Sequence, residues 1–338
     1  MKVLILTEGG RTIGLGHLMR CQALAREFRD ARRRVIVNFI AHADSQTEVF
    51  FKRTGGSLIN FDWIKDTRRT LDLAKDADLV IIDSYIAPPA VYSRIHSLNN
   101  KAYVAAIDDY NRINYKADMV INPSLCRRSD LGYNSRSLGY LLGSEFVILR
   151  KEFRFLPQRK INNTVKRILI AFGGGNYRSL ISRILSSLSG KGYNFDIVSS
   201  DCPKISERRR SGIKFHSGLS ALQMRRLMAD CDLCISAGGQ TLYELAATGT
   251  PVVAVAVAKN QMLNVRNLSL LGILKYAGWY EDKDLVREII GSIDLMRDAG
   301  IRRKMSRLGQ MHIDGNGAKK IVSYLYDIYK RGVKHGCS

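Results

Sequence analysis

The chain has 338 residues, 46% hydrophobic and 25% charged, a balance that suits a globular protein long enough for two domains and excludes collagen-like, coiled-coil and largely disordered classes. Lys and Arg number 53 against 31 Asp and Glu, a net charge of +22, which directs attention to nucleic acid, an anionic membrane or an acidic substrate. Residues 1–150 hold 22 basic and 16 acidic side chains, and the remainder holds 31 and 15, so the surplus sits mainly in the second half. The runs Arg208-Arg209-Arg210 and Arg302-Arg303-Lys304 read as solvated faces.

Short apolar runs alternate with helical patterns. A strand is expected over 3–6, then a helix from 17 to about 33 with Leu18, Cys21, Leu24 or Ala25, and Phe28 on one face. Further strands follow at 35–39, at 79–82 ending on Asp83, at 102–107 ending on Asp108-Asp109, and at 119–122. A helix rich in Leu and Ala precedes the strand at 79–82. Residues 135–157 are mixed, and 158–166 read as a polar linker. The pattern then restarts with a strand at 167–172 running into Gly173-Gly174-Gly175, and a helix over 179–189. Strands at 195–198 and 233–236, a helix at 241–247 and a strand at 251–256 come next. The tail should be helical over 318–329, with Ile321, Leu325 and Ile328 on one face.

Continuous apolar strands separated by helices predict parallel sheets covered on both faces. The fold class is therefore α/β: two doubly wound, Rossmann-like domains facing each other across a cleft. The expected division is 1–157, 158–317, and a C-terminal helix in 318–338 packing back on the first domain.

The six cysteines, Cys21, Cys126, Cys202, Cys231, Cys234 and Cys337, are irregularly spaced and give no disulfide framework. Cys231 and Cys234 form the one close pair, but no second ligand pair accompanies them, so no metal site is expected. The chain opens on a strand with no secretory leader pattern, and no apolar run approaches 18 residues, which predicts a cytoplasmic, soluble protein.

Four stretches carry chemistry, each at a strand end. In Gly9-Gly10-Arg11-Thr12-Ile13-Gly14-Leu15-Gly16-His17 the glycines permit close backbone approach, and His17 opens a helix whose positive end favours a neutral ring suited to taking a proton from water. The spacing misses both the dinucleotide fingerprint and the phosphate loop. Phe172-Gly173-Gly174-Gly175-Asn176 again joins strand to helix, where backbone amides face anions. Ser236-Ala237-Gly238-Gly239-Gln240-Thr241-Leu242-Tyr243-Glu244 adds a hydroxyl at Thr241. It also adds a carboxylate one turn later at Glu244, sorting a ligand into an anion end and a sugar end. Ala258-Lys259-Asn260-Gln261 offers side-chain amides suited to sugar hydroxyls and acetamido groups. Asp83-Ser84-Tyr85 and Asp108-Asp109 either orient His17, contact a sugar or cap the next helix.

Together these motifs resemble the UDP-sugar hydrolase family of pseudaminic acid biosynthesis. The resemblance rests on Gly14-Leu15-Gly16-His17-Leu18-Met19-Arg20-Cys21, Asp83-Ser84-Tyr85, Asp108-Asp109 and the stretch from Leu142-Gly143 to Leu149-Arg150. It also rests on Phe172-Gly173-Gly174, Gly238-Gly239-Gln240-Thr241-Leu242-Tyr243-Glu244, Asn260-Gln261 and Asp314-Gly315-Asn316-Gly317, all in order. It implies the GT-B architecture and removal of UDP from UDP-2,4-diacetamido-2,4,6-trideoxy-β-L-altropyranose. It implies His17 as general base, with Asp83 and Tyr85 beside it. It places the UDP on Gly173, Gly174, Gly238, Gly239, Gln240, Thr241 and Glu244, and the sugar near Gly14, Gly16, Tyr85, Asn260 and Gln261. No metal or cofactor is implied. The chain departs from the family where Arg-x-Asp-x-Ser is replaced by Leu6-Thr7-Glu8-Gly9-Gly10, where Gly-Gly-Ser-Thr becomes Gly238-Gly239-Gln240-Thr241, and where Asn176 replaces an Asp. These departures leave a related nucleotide-linked sugar open as substrate.

A glycosyltransferase of the same fold, with a sugar or lipid acceptor, is the alternative reading. No nucleic-acid-binding motif occurs, so no nucleic-acid partner is expected. Peripheral membrane proximity remains as a use for the surplus charge, although no apolar, aromatic patch among the basic residues is visible in the sequence.

Overall fold

A computed structural model describes residues 1–10, 13–31, 34–42, 44–55, 57–98, 102–125, 131–133, 138–173, 175–199 and 212–332. Gly174, the Arg208-Arg209-Arg210 run, Cys126, Cys202 and Cys337 lie outside the described residues. The chain forms two compact units: Met1–Arg150 with the segment from Asn316 onward, and Lys151–Gly315.

The first unit contains, in order, β1 (Lys2–Glu8), α1 (Gly16–Ala31), β2 (Ile36–His42), α2 (Ser45–Thr54), β3 (Ser57–Asn60), α3 (Thr67–Ala74), β4 (Leu79–Asp83), α4 (Pro89–Leu98), β5 (Tyr103–Ile107), β6 (Met119–Asn122) and β7 (Gly139–Leu142). All seven strands pair in parallel, in the order β3-β2-β1-β4-β5-β6-β7. The central strands are buried on both faces, which is why they read as unbroken apolar runs.

The second unit contains β8 (Arg167–Ala171), α5 (Arg178–Ser187), β9 (Asn194–Val198), β10 (Ile213–His216), α6 (Ala221–Asp230), β11 (Leu233–Ala237), α7 (Thr241–Ala247), β12 (Val252–Ala256), α8 (Met262–Leu270), β13 (Lys275–Trp279), α9 (Leu285–Leu295) and α10 (Ala299–His312). Its sheet, also parallel, runs β10-β9-β8-β11-β12-β13. The last helix, α11 (Gly317–Arg331), belongs to the first unit, where Ala318, Ile321, Val322 and Leu325 join a core containing Leu18, Leu24 and Phe28 of α1.

Both sheets are doubly wound, and in each the strand order reverses beside the first strand: between β1 and β4, and between β8 and β11. A doubly wound sheet binds ligands beyond the strand C-termini at such a reversal. At the C-terminal ends of these four strands lie His17, at the start of α1, Asp83, the last residue of β4, and Gly173 and Gly238-Gly239 in the following loops.

Two expectations are corrected. Arg302, read as part of a solvated face, is fully buried: its Nε donates to Met296 O at 2.8 Å and its Nη2 to Asn163 O at 3.0 Å. An inward guanidinium finds carbonyl acceptors at helix and loop ends, so its neighbours Arg303 and Lys304 alone face solvent. Residues 158–166 carry no helix or strand, yet they are not a loose linker. Arg159 donates from Nη1 to Met228 O (2.8 Å) and Thr250 Oγ1 (3.0 Å), and from Nη2 to Cys231 O, tying this segment into the second unit.

Candidate active site

In the first unit the loop between β1 and α1 is pinned by reciprocal bonds between Gly10 and Gly14, Gly10 N to Gly14 O at 3.1 Å and Gly14 N to Gly10 O at 2.7 Å. Gly14 has φ +83°, a conformation that favours glycine. Gly16 has neither a positive φ nor any atom within 4 Å of a Cβ built upon it. Packing therefore does not require glycine at position 16, and open space is kept beside His17.

His17 is the second residue of α1 and is 5% exposed. Its Nδ1 lies 2.6 Å from Oδ1 of Asp83, the buried last residue of β4. A carboxylate only accepts, so in the neutral ring the proton sits on Nδ1 and the lone pair on Nε2. Arg20, one turn further along α1, forks onto the same carboxylate, Nε to Oδ2 at 2.7 Å and Nη2 to Oδ1 at 2.6 Å. The Sγ of Cys21 adds a 3.3 Å contact to Oδ2. Burial opposes the charge on Asp83, but Arg20 and His17 outweigh it and hold the carboxyl well below the usual range. Burial works against the Arg20 cation too, and Asp109 and Asp83 overcome it.

The Nη1 of Arg20 also donates to both oxygens of Asp109, at 2.8 and 2.9 Å, and Asp109 accepts the hydroxyl of Tyr85. Burial, then Asp109, pushes the Tyr85 phenol up, so it stays a donor. Its ring meets the His17 imidazole edge-on, centroids 4.2 Å apart. One arginine thus links two pairs, His17–Asp83 and Tyr85–Asp109. Glu8, at the end of β1, is buried and accepts from Ser84 Oγ at 2.5 Å and Tyr85 N at 2.6 Å. Burial pushes its carboxyl up, and the Ser84 bond acts against this. Asp108 serves otherwise: it accepts from Asn111 N (2.6 Å), Tyr115 Oη (2.9 Å) and the Tyr133 hydroxyl, closing its own loop.

In the second unit Gly238 and Gly239 precede α7. A Cβ at Gly238 would lie 2.4 Å from Val265 Cγ2, so packing demands glycine there. At Gly239 the nearest atom to such a Cβ, Gln261 Nε2, is 3.8 Å away, and the loop is open on that side. Gln261 Oε1 accepts from Gly238 N and from Val257 N, each at 3.1 Å, which commits its oxygen to bracing the loop and leaves Nε2 as its outward end. Asn264 Nδ2 donates to Gly238 O at 3.3 Å and its Oδ1 accepts from Tyr243 Oη at 2.7 Å. Thr241 begins α7 half-buried, Glu244 lies one turn on and is buried, and Asn260 is half-buried in the short turn between β12 and α8. Gly173, φ +81°, is exposed after β8. No group of three or more His, Cys, Asp or Glu side chains disposed to hold a metal occurs among the described residues.

Of the expected residues, His17, Asp83 and Tyr85 converge in the first unit, and Gly238, Gly239 and Gln261 in the second. Arg20, Glu8, Ser84 and Asn264 were not foreseen as working parts. Arg20 lies three residues after His17 on a helix, a spacing that puts both on one face and was a readable signal.

The fold is that of the GT-B glycosyltransferases. The chain is similar to MurG of Acinetobacter baumannii (TM-score 0.65, 15% identity, 96% of this chain and 99% of that one). It is likewise similar to the calicheamicin glycosyltransferase CalG4 (0.65, 11%, 97% and 98%) and to MnaA of S. aureus, solved with UDP (0.66, 13%, 100% and 99%). No family model matches.

Among curated proteins the chain is 28% identical over 276 residues, 81% of its length, to a Helicobacter pylori protein. That protein is named pseudaminic acid cytidylyltransferase and UDP-2,4-diacetamido-2,4,6-trideoxy-β-L-altropyranose hydrolase, and the match covers 48% of it. An uncharacterized Methanocaldococcus jannaschii protein is 29% identical over 275 residues, 75% of this chain and 55% of that protein. The chain thus spans about half the length of these two relatives. The spore coat polysaccharide biosynthesis protein SpsG of Bacillus subtilis is 23% identical over 347 residues, 98% of this chain and all of that one. The resemblance to the hydrolase of pseudaminic acid biosynthesis, read from the motifs, is therefore met over most of the chain. No helix among the described residues is long and apolar enough to cross a membrane.

Proposed function

We propose that the protein is a UDP-sugar-processing enzyme, and within that class a hydrolase. It releases UDP from UDP-2,4-diacetamido-2,4,6-trideoxy-β-L-altropyranose or a related UDP-linked deoxy-diacetamido sugar. The observation that carries this reading is the 2.6 Å contact of His17 Nδ1 with a buried carboxylate, which leaves Nε2 as a proton acceptor. Water loses a proton to Nε2 as its oxygen bonds to the anomeric carbon. The bond from that carbon to the phosphate oxygen breaks with inversion, and UDP departs with the electron pair.

The leaving diphosphate is assigned to the amides and hydroxyl of Gly238, Gly239, Gln240 and Thr241, with Gly173 and Gly174, and the ribose to Glu244. Tyr85, Gly14, Gly16, Asn260 and the Nε2 of Gln261 are assigned to the sugar. Glycines without a packing reason at positions 16 and 239 support close ligand approach there. The reading invokes no metal or cofactor. A transferase would use the same donor and base with an acceptor hydroxyl in place of water, and the exposed surface described next is the observation on its side.

Incubation with a panel of UDP-sugars and no acceptor tests the reading. Free UDP from a diacetamido sugar supports hydrolysis, and release only when a sugar or lipid acceptor is added overturns it in favour of transfer.

A further inference from the structure

The second unit carries an exposed surface that neither the UDP loop nor the catalytic network uses. Phe155 is 76% exposed and has φ +53°, a conformation rare for a bulky side chain. The turn that holds it is pinned from beneath. Phe153 is buried, and a Cβ on Gly315 would lie 2.4 Å from Phe153 O, so these backbones pack too closely for any other residue at 315. One aromatic is thereby anchored inward and the next held out in water.

The segment that follows lies against α10: Gln310 Nε2 donates to Pro157 O at 2.9 Å, and Arg159 N donates to Gln310 Oε1 at 3.1 Å. Leu156, Arg307 and Met311 line one shallow depression of about 300 Å³ there. Met311 is 65% exposed, and Arg303, Arg307 and Met311 follow at four-residue steps on the outer face of α10, with Lys304 beside them. Lys160, Arg303, Lys304 and Arg307 are exposed and make no ion pair among the described residues. Neither α10 nor residues 155–166 contain an acidic side chain. The sequence hides this arrangement, because about 150 positions separate its two halves.

We propose that this surface docks on an anionic lipid bilayer, with Phe155 and Met311 entering the interface and the four cations facing lipid phosphates. Charge complementarity selects an anionic partner. An aromatic and a thioether held outward amid cations select a partner with an apolar interior. The inference does not depend on hydrolysis or transfer.

The test is co-sedimentation of the full chain with phosphatidylcholine vesicles with and without phosphatidylglycerol. Binding should require phosphatidylglycerol. Each lost cation should weaken it roughly five-fold, so R303S/K304S/R307S should lose roughly a hundred-fold. A control triple, K65S/R287S/R297S, removes the same charge elsewhere on the surface and should bind as the parent does. Phe155→Asn keeps the charge, suits the positive φ and should hold or raise the melting temperature, yet weaken binding roughly ten-fold. Equal losses in the two triples, or vesicle binding unchanged in Phe155→Asn, would overturn the proposal. So would binding of a poly(U) RNA through the same cations with no binding to vesicles.

Discussion

Arg20 and Asp83 form a buried fork in which both carboxylate oxygens are held, Nε to Oδ2 at 2.7 Å and Nη2 to Oδ1 at 2.6 Å. The fork fixes the carboxylate, and the carboxylate fixes the histidine. Two short distances on one oxygen, 2.6 Å to His17 Nδ1 and 2.6 Å to Arg20 Nη2, mean that two donors converge on Oδ1. Any change that makes this oxygen a donor inverts the ring.

Asp83→Asn does so when its amide nitrogen takes that position, donating to Nδ1 and moving the ring proton to Nε2; in the other orientation the amide nitrogen faces Arg20 Nε, donor against donor, and the fork is broken. Turnover should fall roughly 10²–10⁴-fold while UDP affinity stays within a factor of two or so, as read by UDP release beside calorimetric UDP binding.

Arg20→Gln should act on stability as well as rate. Removing the cation strands a buried carboxylate, a loss of about 3–5 kcal/mol at neutral pH by denaturant unfolding. The pH dependence has a definite sign. The folded Asp83 carboxyl lies well below its unfolded value near 4, so its stabilisation is complete above about pH 4 and declines as pH falls below that. In Arg20→Gln this acid-side decline should flatten.

Ser84→Ala tests the Glu8 bracket. Ser84 Oγ donates to Glu8 and accepts from Ile86 N at 3.1 Å and Ala87 N at 2.8 Å. Its loss leaves a buried carboxyl and two amides short of a partner, and should cost about 1–3 kcal/mol of unfolding free energy by denaturant titration.

Gly238→Ala should separate nucleotide binding from base chemistry. The added methyl meets Val265 and displaces Gln261, costing about 1–3 kcal/mol of stability. UDP affinity should fall by more than ten-fold, while the pH profile of the remaining activity is unchanged, as measured by UDP titration and pH–rate curves.

The central strands were legible because burial on both faces makes them unbroken apolar runs, as in Leu79-Val80-Ile81-Ile82. The edge strands were not. β3 and β10 are partly exposed, their apolar residues interrupted or alternating as in Ile213-Lys214-Phe215-His216, and such four-residue segments give little periodic signal. The helix α6 carried a readable capping box, Ser220 with Gln223. In the site, residue types and loops were legible, since glycines and His17 sit at strand-to-helix turns. Partner choice was not: that Asp83 and not Asp108 meets His17, a contact across 66 positions, depends on β1 pairing with β4. The inward turn of Arg302 beside the outward Arg303 depends likewise on which face of α10 packs against α7.

The most direct measurement is UDP release by His17→Ala, set beside its UDP affinity. A loss of roughly 10²–10⁴-fold in rate with affinity unchanged is the predicted result. Release at the parent rate would contradict His17 as the base, and loss of UDP binding in parallel with rate would make it a binding or structural residue instead.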